Sequence, residues 1–530
     1  YKINFKNYLV GHFKYTVLWT DDEIDLLMPH IIFLENKGFK IIKSNSGNDA
    51  INILKNNKID IIILDENMPG LGGIETLEII KVKYPMLPVV MLTKNEEEDI
   101  MDLAIGSKIN DYLLKPVNPH QVLSSLKKIL ESNKLVEENS QTKYLKEFND
   151  LSNIVHKINT SDEWFQHYKK LIYWELEFEN HKNIEMLNII KSQHEDANKV
   201  FKNFIIRNYE NWINETDISN TTLSHNLFRK KIKPLIGEKP TLLLIIDNLR
   251  FDQWKAIEPL IYPLFETHQE SYYLSILPTT TQYSRNSIFS GLTPYEMSKK
   301  FPYWWINDDS NDAKNKFEYE FLKFQLKNLN ISGKISYHKI NDQKNGKSLT
   351  DSILNHKNEI LTSVIYNFVD LISHAKTDMN IIKELASNNQ SFRSLTLSWF
   401  KNSYVYDLIK KVSKNNFNLI ITTDHGNISV NKPIEIHGKK NATKNLRYKL
   451  GKDLNSTSED VFEVTNPSKI GLPDLGISYK YIFTSGSDFL VYPNNFNEYA
   501  NLYQNSFQHG GISMEEMILP FVFLQNQTII

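Results

Sequence analysis

The stretch KPTLLLIIDNLRFDQW, residues 239–254, begins with an unbroken apolar run of strand length, and that run ends in Asp247. An apolar run without alternation predicts a strand covered on both faces. In open α/β sheets, functional side chains collect at the strand ends. Two later stretches have the same form, namely SVIYNFVD, which ends in Asp370, and FNLIITTDHGN, which contains Asp424 and His425.

These strand ends carry side chains of the types that can bind metal ions. Asp370 is followed by His374 one helical turn later, although a capping Asp followed by an incidental His is the more common explanation for such a pair taken alone. A further histidine precedes a Gly pair in SFQHGGISMEEMILP. Three carboxylates and three imidazoles suit one or two zinc ions without any cysteine. The predicted ligands are Asp247, Asp370, His374, Asp424, His425 and His509.

A group of three hydroxyls follows another predicted strand, in LPTTTQYSRNSIFSGL. Thr281 would lie at a strand-to-helix turn, where free amides and the helix dipole favour an anion. A threonine is a weak nucleophile unless a metal lowers its pKa. Thr279 and Thr280 remain alternatives for this role, and Arg285 or Asn286 would either contact phosphate oxygens or lie on the helix surface.

The order Asp, Thr, Asp-x-x-x-His, Asp-His and late His resembles the alkaline phosphatase superfamily, and HGGISMEEMILP is similar to the ending of its PglZ-type members. The resemblance implies an α/β domain over residues 237–530. It also implies one zinc at Asp370, His374 and His509, and another at Asp247, Asp424 and His425 beside Thr281. Residues 300–360 match nothing in this pattern, and we expect a lid over the metals there.

The N-terminal part, residues 16–133, alternates short apolar runs with segments of helical periodicity. TVLWT, FKIIKS, IDIIILD, PVVMLT and DYLLKP are predicted strands, and GGIETLEIIKVKY and HQVLSSLKKIL are predicted helices. Five such repeats predict one parallel, doubly wound sheet.

The strand ends of this sheet bring a second set of polar residues together. Converging carboxylates repel one another unless a hard cation such as Mg²⁺ lies among them, and one of them can then accept a phosphoryl group. The segment resembles a response-regulator receiver domain. The resemblance implies that Asp65 is the phosphoacceptor and that the Mg²⁺ ligands are Asp21, Asp22, Asp65 and the carbonyl group of Asn67. It further implies that Thr93 and Lys115 contact the phosphate and that Tyr112 is the aromatic switch.

Residues 134–236 lose the strand pattern and have apolar residues at helical spacing, so we predict an all-α bundle that connects the two α/β domains. Residues 1–15 precede the first strand as an N-terminal extension. A stretch of basic character, HGKKNATKNLRYKLGK, would draw a polyanion toward the site through Arg447 and Lys449, unless it is a solvated loop.

Length and composition describe a multidomain globular protein. The chain has 530 residues, a net charge of -2 and no cysteine, which excludes disulfides and thiolate catalysis. No apolar run reaches the roughly 18 residues of a membrane helix, and the opening residues lack the apolar core of a signal peptide. We therefore expect a cytoplasmic protein without membrane insertion.

The three predicted domains together resemble response regulators of the PorX type, which are tied to type IX secretion and gliding in Bacteroidetes. The resemblance implies a sensor histidine kinase, a homodimer formed on phosphorylation, a phosphodiesterase acting on oligonucleotides, and a sigma factor or secretion-system component as partner. Two alternatives remain. One is a non-catalytic regulator whose metal domain serves dimerisation and partner binding, and the other is a phosphomonoesterase or, less compatible with a chain without cysteine, a sulfatase.

Overall fold

The structure is a computed structural model that describes residues 13–85, 87–94, 109–216, 221–237, 239–308, 310, 312–378, 384–438, 443–456, 458–476 and 478–526. Within these ranges it describes the backbone but not the side chains of residues 132–139 and 374–378. The side chain of the predicted ligand His374 and most of the N-terminal extension therefore lie outside the described residues. The chain divides into two compact units, residues 1–145 and residues 146–530.

The first unit contains a five-stranded sheet in the order β2-β1-β3-β4-β5 with every pair parallel, which confirms the predicted receiver-like fold. Alternate residues of β1 point to opposite faces, where Trp19 packs into one hydrophobic cluster and Leu18 into the other. The strands are β1 Tyr15–Thr20, β2 Phe39–Ser44, β3 Ile61–Asp65, β4 Val89–Thr93 and β5 Asp111–Leu114.

Helices α1 Met28–Glu35, α2 Gly47–Asn56 and α3 Gly73–Lys83 connect these strands, and α4 Pro119–Ile154 follows β5. Helix α4 passes without a break through residues 133 and 134, where the sequence pattern placed a domain boundary. The boundary between the compact units lies later in the same helix, after residue 145.

The predicted connector is helical, and it is continued by α5 Ser161–Asn180, α6 Ile184–Ile213 and α7 Ser224–Leu227. Thr160 caps α5 by accepting a hydrogen bond from the Glu163 amide, while the Glu163 side chain accepts from the Thr160 amide. Helix α5 packs onto the rest of the second unit, where the Phe165 ring stacks on Tyr272 at 4.5 Å between ring centroids. The structure therefore places these helices within the second compact unit.

The second unit has a six-stranded sheet in the order β7-β19-β10-β6-β9-β8. Strands β8, β9, β6 and β10 form parallel pairs, and β19 pairs antiparallel with both β10 and β7. All six residues of β6 and of β9 are buried, as expected for a sheet with both faces covered. The strands are β6 Thr241–Ile246, β7 Thr267–Leu274, β8 Ile335–Ile340, β9 Leu361–Tyr366, β10 Asn418–Thr422 and β19 Ile518–Gln525.

Helices surround this sheet, and short strands form smaller sheets beside it. The helices are α8 Phe251–Ile261, α9 Thr281–Ser290, α10 Pro294–Lys300, α11 Glu318–Asn328, α12 Gln343–Ser352, α13 Phe368–Asp378, α14 Asn389–Lys401, α15 Tyr404–Ser413, α16 Phe496–Tyr503 and α17 Met514–Met517. The short strands are β11 Ile428–Ser429, β12 Lys432–His437, β13 Tyr448–Lys452, β14 Asn455–Ser456, β15 Phe462–Val464, β16 Tyr479–Phe483, β17 Asp488–Val491 and β18 Phe507–Gln508.

Part of the expected lid over residues 300–360 belongs to the central sheet. Strand β8 is the edge strand of that sheet and pairs along its whole length with β9, so this part is not a lid. Among the residues that the structure describes, no helix has the length and apolar character needed to cross a membrane.

Candidate functional site

The first unit brings three carboxylates together at the carboxyl ends of neighbouring strands. Asp21 and Asp22 follow β1, Asp65 ends β3, and each offers an oxygen within 4.8 Å of the others. The Lys115 ammonium lies 2.8 Å from Asp21 Oδ2 and 2.9 Å from Asp65 Oδ2. Carboxylates at this spacing could hold Mg²⁺ in an all-oxygen site.

Burial raises the pKa of Asp65, and the hydrogen bond from Lys115 opposes this effect without cancelling it. Burial also lowers the pKa of Lys115, but the hydrogen bonds to Asp21 and Asp65 outweigh it and keep the ammonium charged. The charged ammonium of Lys115 thus lies beside Asp65, where an acyl phosphate formed on that carboxylate would need a cation.

The other predicted receiver residues lie at or near the same edge of the sheet. Thr93 is buried at the end of β4, and β4 pairs with β3 so that Leu92 lies opposite Asp65. Asn67 follows β3 and is exposed, while Tyr112 lies in β5 with 37% of its surface exposed.

The second unit gathers Asp247, Thr281, Asp424 and His425. The hydroxyl of Thr281 lies 3.0 Å from His425 Nε2 and donates to Asp247 Oδ1 at 3.4 Å. Ligand atoms of the two aspartates and His425 lie within 4.8 Å of one another, and all three residues are buried. The parallel strands β6 and β10 are neighbours in the sheet, which explains why residues 177 positions apart meet at one edge.

Asp370 and His509 lie next to this group. His509 Nε2 is 3.7 Å from Asp370 Oδ1, and the rings of His509 and His425 stack with centroids 4.3 Å apart. Asn248, which the sequence pattern did not single out, donates from its side chain to Asp370 Oδ1 at 3.0 Å and from its backbone to Asp424 Oδ1 at 3.4 Å. Five of the six predicted zinc ligands therefore come together, and the side chain of His374 lies outside the described residues.

The three threonines of the PTTT turn differ in their surroundings. Thr281 is the first residue of α9 and contacts the acidic group, whereas Thr279 Oγ1 donates to the Gly511 carbonyl and accepts from the Gly510 amide, both at 3.0 Å. The buried Thr280 hydroxyl has no hydrogen-bond partner among the residues that the structure describes.

Arg285 is buried beside the site and not on the helix surface. Its Nη1 donates to Asp247 Oδ2 at 2.6 Å and lies 3.5 Å from Asp424 Oδ2, while its Nε donates to Glu318 Oε1 at 2.6 Å. Asn286 is also buried, but its side-chain amide donates to the Lys314 carbonyl, so it supports a loop. Glu318 has no motif around it that would have revealed its role.

The chemistry of this group fits a divalent cation. Burial raises the pKa of Asp247 well above its ordinary value, and the negative charge of Asp424 adds to the effect. Asp424 Oδ2 is buried and has no hydrogen-bond partner among the described residues. Two buried carboxylates and an imidazole are ligands that Zn²⁺ accepts, and a bound cation would satisfy the unpartnered oxygen.

Three family models match the chain. The response regulator receiver domain matches residues 17–127, and the PorX response regulator linker domain matches residues 134–213. The BREX system PglZ alkaline phosphatase-like domain matches residues 227–524, which is more than half of the chain. The chain belongs to the PglZ family. Its three segments are those of a PorX-type response regulator with a PglZ effector domain.

Several curated proteins are similar to part of this PglZ-family chain. The alkaline phosphatase synthesis transcriptional regulatory protein PhoP of Bacillus subtilis is 31% identical over 129 residues, which are 24% of this chain and 53% of PhoP. The phosphate regulon transcriptional regulatory protein PhoB of Pseudomonas aeruginosa is 32% identical over 119 residues, which are 22% of this chain and 51% of PhoB. The chain thus spans about half the length of these curated relatives.

The solved structure of a response regulator receiver domain protein from Clostridium thermocellum is 29% identical in sequence to the matching part of this chain. The match covers 23% of this chain and 98% of the Clostridium chain, and its TM-score is 0.22.

The two basic residues predicted to bind substrate have other roles in the PglZ domain. Arg447 is fully buried, and its guanidinium pairs with both carboxylate oxygens of Glu516 at 3.1 and 2.7 Å. Lys449 is 3% exposed and donates to the Thr443 carbonyl at 2.9 Å. The expectation that they attract a polyanion from solvent is therefore corrected, because the structure buries them and pairs them with protein atoms.

Proposed function

We propose that the PglZ domain is a zinc-dependent phosphodiesterase with Thr281 as its nucleophile, and that phosphorylation of Asp65 controls it. The observation that carries this proposal is the contact of the Thr281 hydroxyl with His425 Nε2 at 3.0 Å and with Asp247 Oδ1 at 3.4 Å. A hydroxyl in this position touches two proposed metal ligands at once.

The proposed ligands form two sets around this hydroxyl. Asp247, Asp424 and His425 would hold one zinc ion, and Asp370, His374 and His509 would hold the other. Zinc bound there would lower the pKa of an alcohol and stabilise the attacking and leaving oxygens of a phosphoryl displacement.

The chain's own residues have separate tasks in this reaction. Thr281 Oγ1 loses its proton and forms a bond to phosphorus while the bond from phosphorus to one ester oxygen breaks, and that oxygen takes up a proton and leaves as an alcohol. Water later hydrolyses the threonine–phosphate ester, which releases a phosphate monoester and restores the Thr281 hydroxyl. Arg285 holds Asp247 through a short ion pair of 2.6 Å, so the carboxylate that faces the hydroxyl has a defined position.

The substrate class and the regulation are also proposals. The match to an alkaline phosphatase-like domain supports a phosphate ester, and the resemblance to PorX-type regulators supports an oligonucleotide and a role in type IX secretion and gliding. The Mg²⁺-type site at Asp65 supports phosphorylation by a sensor histidine kinase, followed by formation of a homodimer.

The test is turnover of the zinc-loaded protein on a generic phosphodiester, a generic phosphomonoester and short oligonucleotides. We expect Thr281→Val to lower kcat for the diester by roughly 10³-fold or more, because it removes the nucleophile while preserving shape. Thr280→Val is the matched control and should stay within a few-fold of wild type.

Faster turnover of the monoester would point to a phosphomonoesterase. If the zinc-loaded wild type turned over none of these substrates, the domain would act as a binding module. A fully active Thr281→Val variant would assign the nucleophile elsewhere.

A further inference from the structure

The segment His509–Met517 lies between the proposed zinc site and helix α6. At its start, His509 stacks on His425 and approaches Asp370. At its end, the Gly426 amide donates to the Glu516 carbonyl at 3.1 Å, and a Cβ atom at Gly426 would clash with the Glu515 carbonyl oxygen. The backbone of the segment is therefore in direct contact with the chain that carries Asp424 and His425.

The segment His509–Met517 is fixed by contacts along its length. Near its start, Asn445 Nδ2 donates to the His509 carbonyl at 3.1 Å, and Thr279 Oγ1 accepts from the Gly510 amide at 3.0 Å. Gly510 has a φ of +123°, a backbone conformation that favours glycine. The exact position of His509 therefore depends on contacts at both ends of the segment, and residues 512–517 are its far end.

Helix α6 provides two of these fixing contacts. Asn198 Oδ1 accepts a hydrogen bond from the Met514 amide at 2.8 Å, and Asn198 Nδ2 donates to Glu515 Oε2 at 3.0 Å. His194, one turn earlier, lies 3.4 Å from Glu515 Oε1 and 3.4 Å from Glu175 Oε2 of helix α5. Asn198 is 3% exposed, so water does not replace these bonds easily.

These contacts join two parts of the chain that different family models match. Asn198 belongs to the linker match, whereas Met514 and Glu515 belong to the PglZ match. A side chain of the linker thus completes the hydrogen bonding of the segment that carries a proposed zinc ligand.

We propose that Asn198, with His194 beside it, is a positioning residue that fixes segment His509–Met517 so that His509 can bind zinc. The inference rests on the proposed function for the presence of zinc. It assigns to the linker helix a direct part in shaping the hydrolytic site.

The test measures zinc affinity by competition with a chromogenic chelator, together with kcat and KM, on full-length protein. We expect Asn198→Ala to weaken zinc binding by about 10- to 100-fold, the usual effect of removing a residue that orients a metal ligand. The value of kcat should fall while KM changes little.

Conservative rescue separates positioning from general packing. Asn198→Asp keeps an acceptor for the Met514 amide but places a carboxylate against Glu515, so it should also weaken zinc binding. In the double variant Asn198→Asp with Glu515→Gln, the glutamine amide at 515 can donate to the aspartate carboxylate at 198. The double variant should therefore recover most of the zinc affinity.

Two control variants lie on the same helix. Asn203→Ala changes an exposed residue and should leave zinc affinity at the wild-type value. Phe204→Leu disturbs the buried contacts with Trp164 and Trp212 and reports what destabilising the helix does by itself.

The positioning role is overturned if Asn198→Ala binds zinc like wild type, or loses no more affinity than Phe204→Leu, or if the wild type binds no zinc. If the wild type binds zinc but turns over no phosphate ester, the proposed function fails, while the affinities of the Asn198 variants still decide the positioning role.

Discussion

Asp247 and Asp424 are buried carboxylates that both lie close to the Arg285 guanidinium, which donates a hydrogen bond to Asp247 and lies 3.5 Å from Asp424 Oδ2. Burial and the neighbouring charge both favour the protonated form of Asp247, which explains why its pKa is raised. A guanidinium offsets only part of this repulsion, because it also serves Glu318 at 2.6 Å. The remaining charge is the physical reason to expect a divalent cation at this position.

Lys449 shows how strongly burial acts on a single side chain. Burial lowers its pKa from the ordinary value of 10.5 to about 8, so the folded protein binds this proton less tightly than the unfolded chain. At pH 7 this difference destabilises the fold by on the order of 3 kcal/mol. The penalty is full below pH 8 and disappears as pH rises through 10.5.

We therefore expect Lys449→Met to increase the free energy of unfolding at pH 7 by about 1–2 kcal/mol, since the lost bond to the Thr443 carbonyl offsets part of the gain. The advantage over wild type should shrink between pH 8 and pH 10.5, and turnover should be unchanged. Urea unfolding at several pH values measures this. A constant difference across that range would show that the lysine is not buried as a charged group.

At the scale of elements, helix α11 and strand β8 support the site from one side. Glu318 at the start of α11 accepts from Arg285 through one oxygen and from the Tyr337 hydroxyl of β8 through the other. The stretch expected to be a lid thus supplies the buried carboxylate that orients Arg285.

Glu318→Gln should lower the free energy of unfolding by roughly 2–4 kcal/mol, because it leaves a buried guanidinium with one anionic partner fewer. Tyr337→Phe removes the other contact of the same carboxylate and should cost about 1 kcal/mol. Chemical denaturation followed by tryptophan fluorescence compares the two variants. Equal losses would mean that the ion pair does not hold Arg285.

At the scale of the whole molecule, the chain combines a receiver-like unit with a larger unit that includes both the linker helices and the PglZ domain. The first unit contains the cluster of Asp21, Asp22 and Asp65, and the second contains the cluster of Asp247, Asp424 and His425, each of which could hold a metal ion. We propose phosphorylation at Asp65 as the input to the molecule and dimerisation as its first consequence.

Addition of Mg²⁺ and beryllofluoride, which mimics the phosphoryl group, should double the molar mass measured by light scattering. Asp65→Ala should abolish this change because it removes the carboxylate that binds the mimic. Tyr112→Ala should weaken it if the dimer forms through the face that holds the partly exposed Tyr112. An unchanged mass on adding the mimic to wild type would refute dimerisation in response to phosphorylation.

The two α/β folds, and the positions of polar residues at their strand ends, follow from local patterns in the amino-acid sequence. A buried parallel strand is recognised by its continuous run of apolar residues. The carboxyl ends of such strands lie at the same edge of a sheet, so the sequence predicts that Asp21 lies near Asp65 and that Asp247 lies near Asp424.

The surroundings of those residues depend on tertiary packing. Arg447 and Lys449 looked like solvated cations in a basic stretch, whereas the structure buries both of them. Arg447 pairs with the distant Glu516, and Lys449 donates to the Thr443 carbonyl six residues away. Asn198 contacts Glu515, and Glu318 contacts Arg285, and each pair is separated by more than thirty residues along the chain. Burial and pairing of this kind depend on the packing of distant segments, and no local pattern of residues records it.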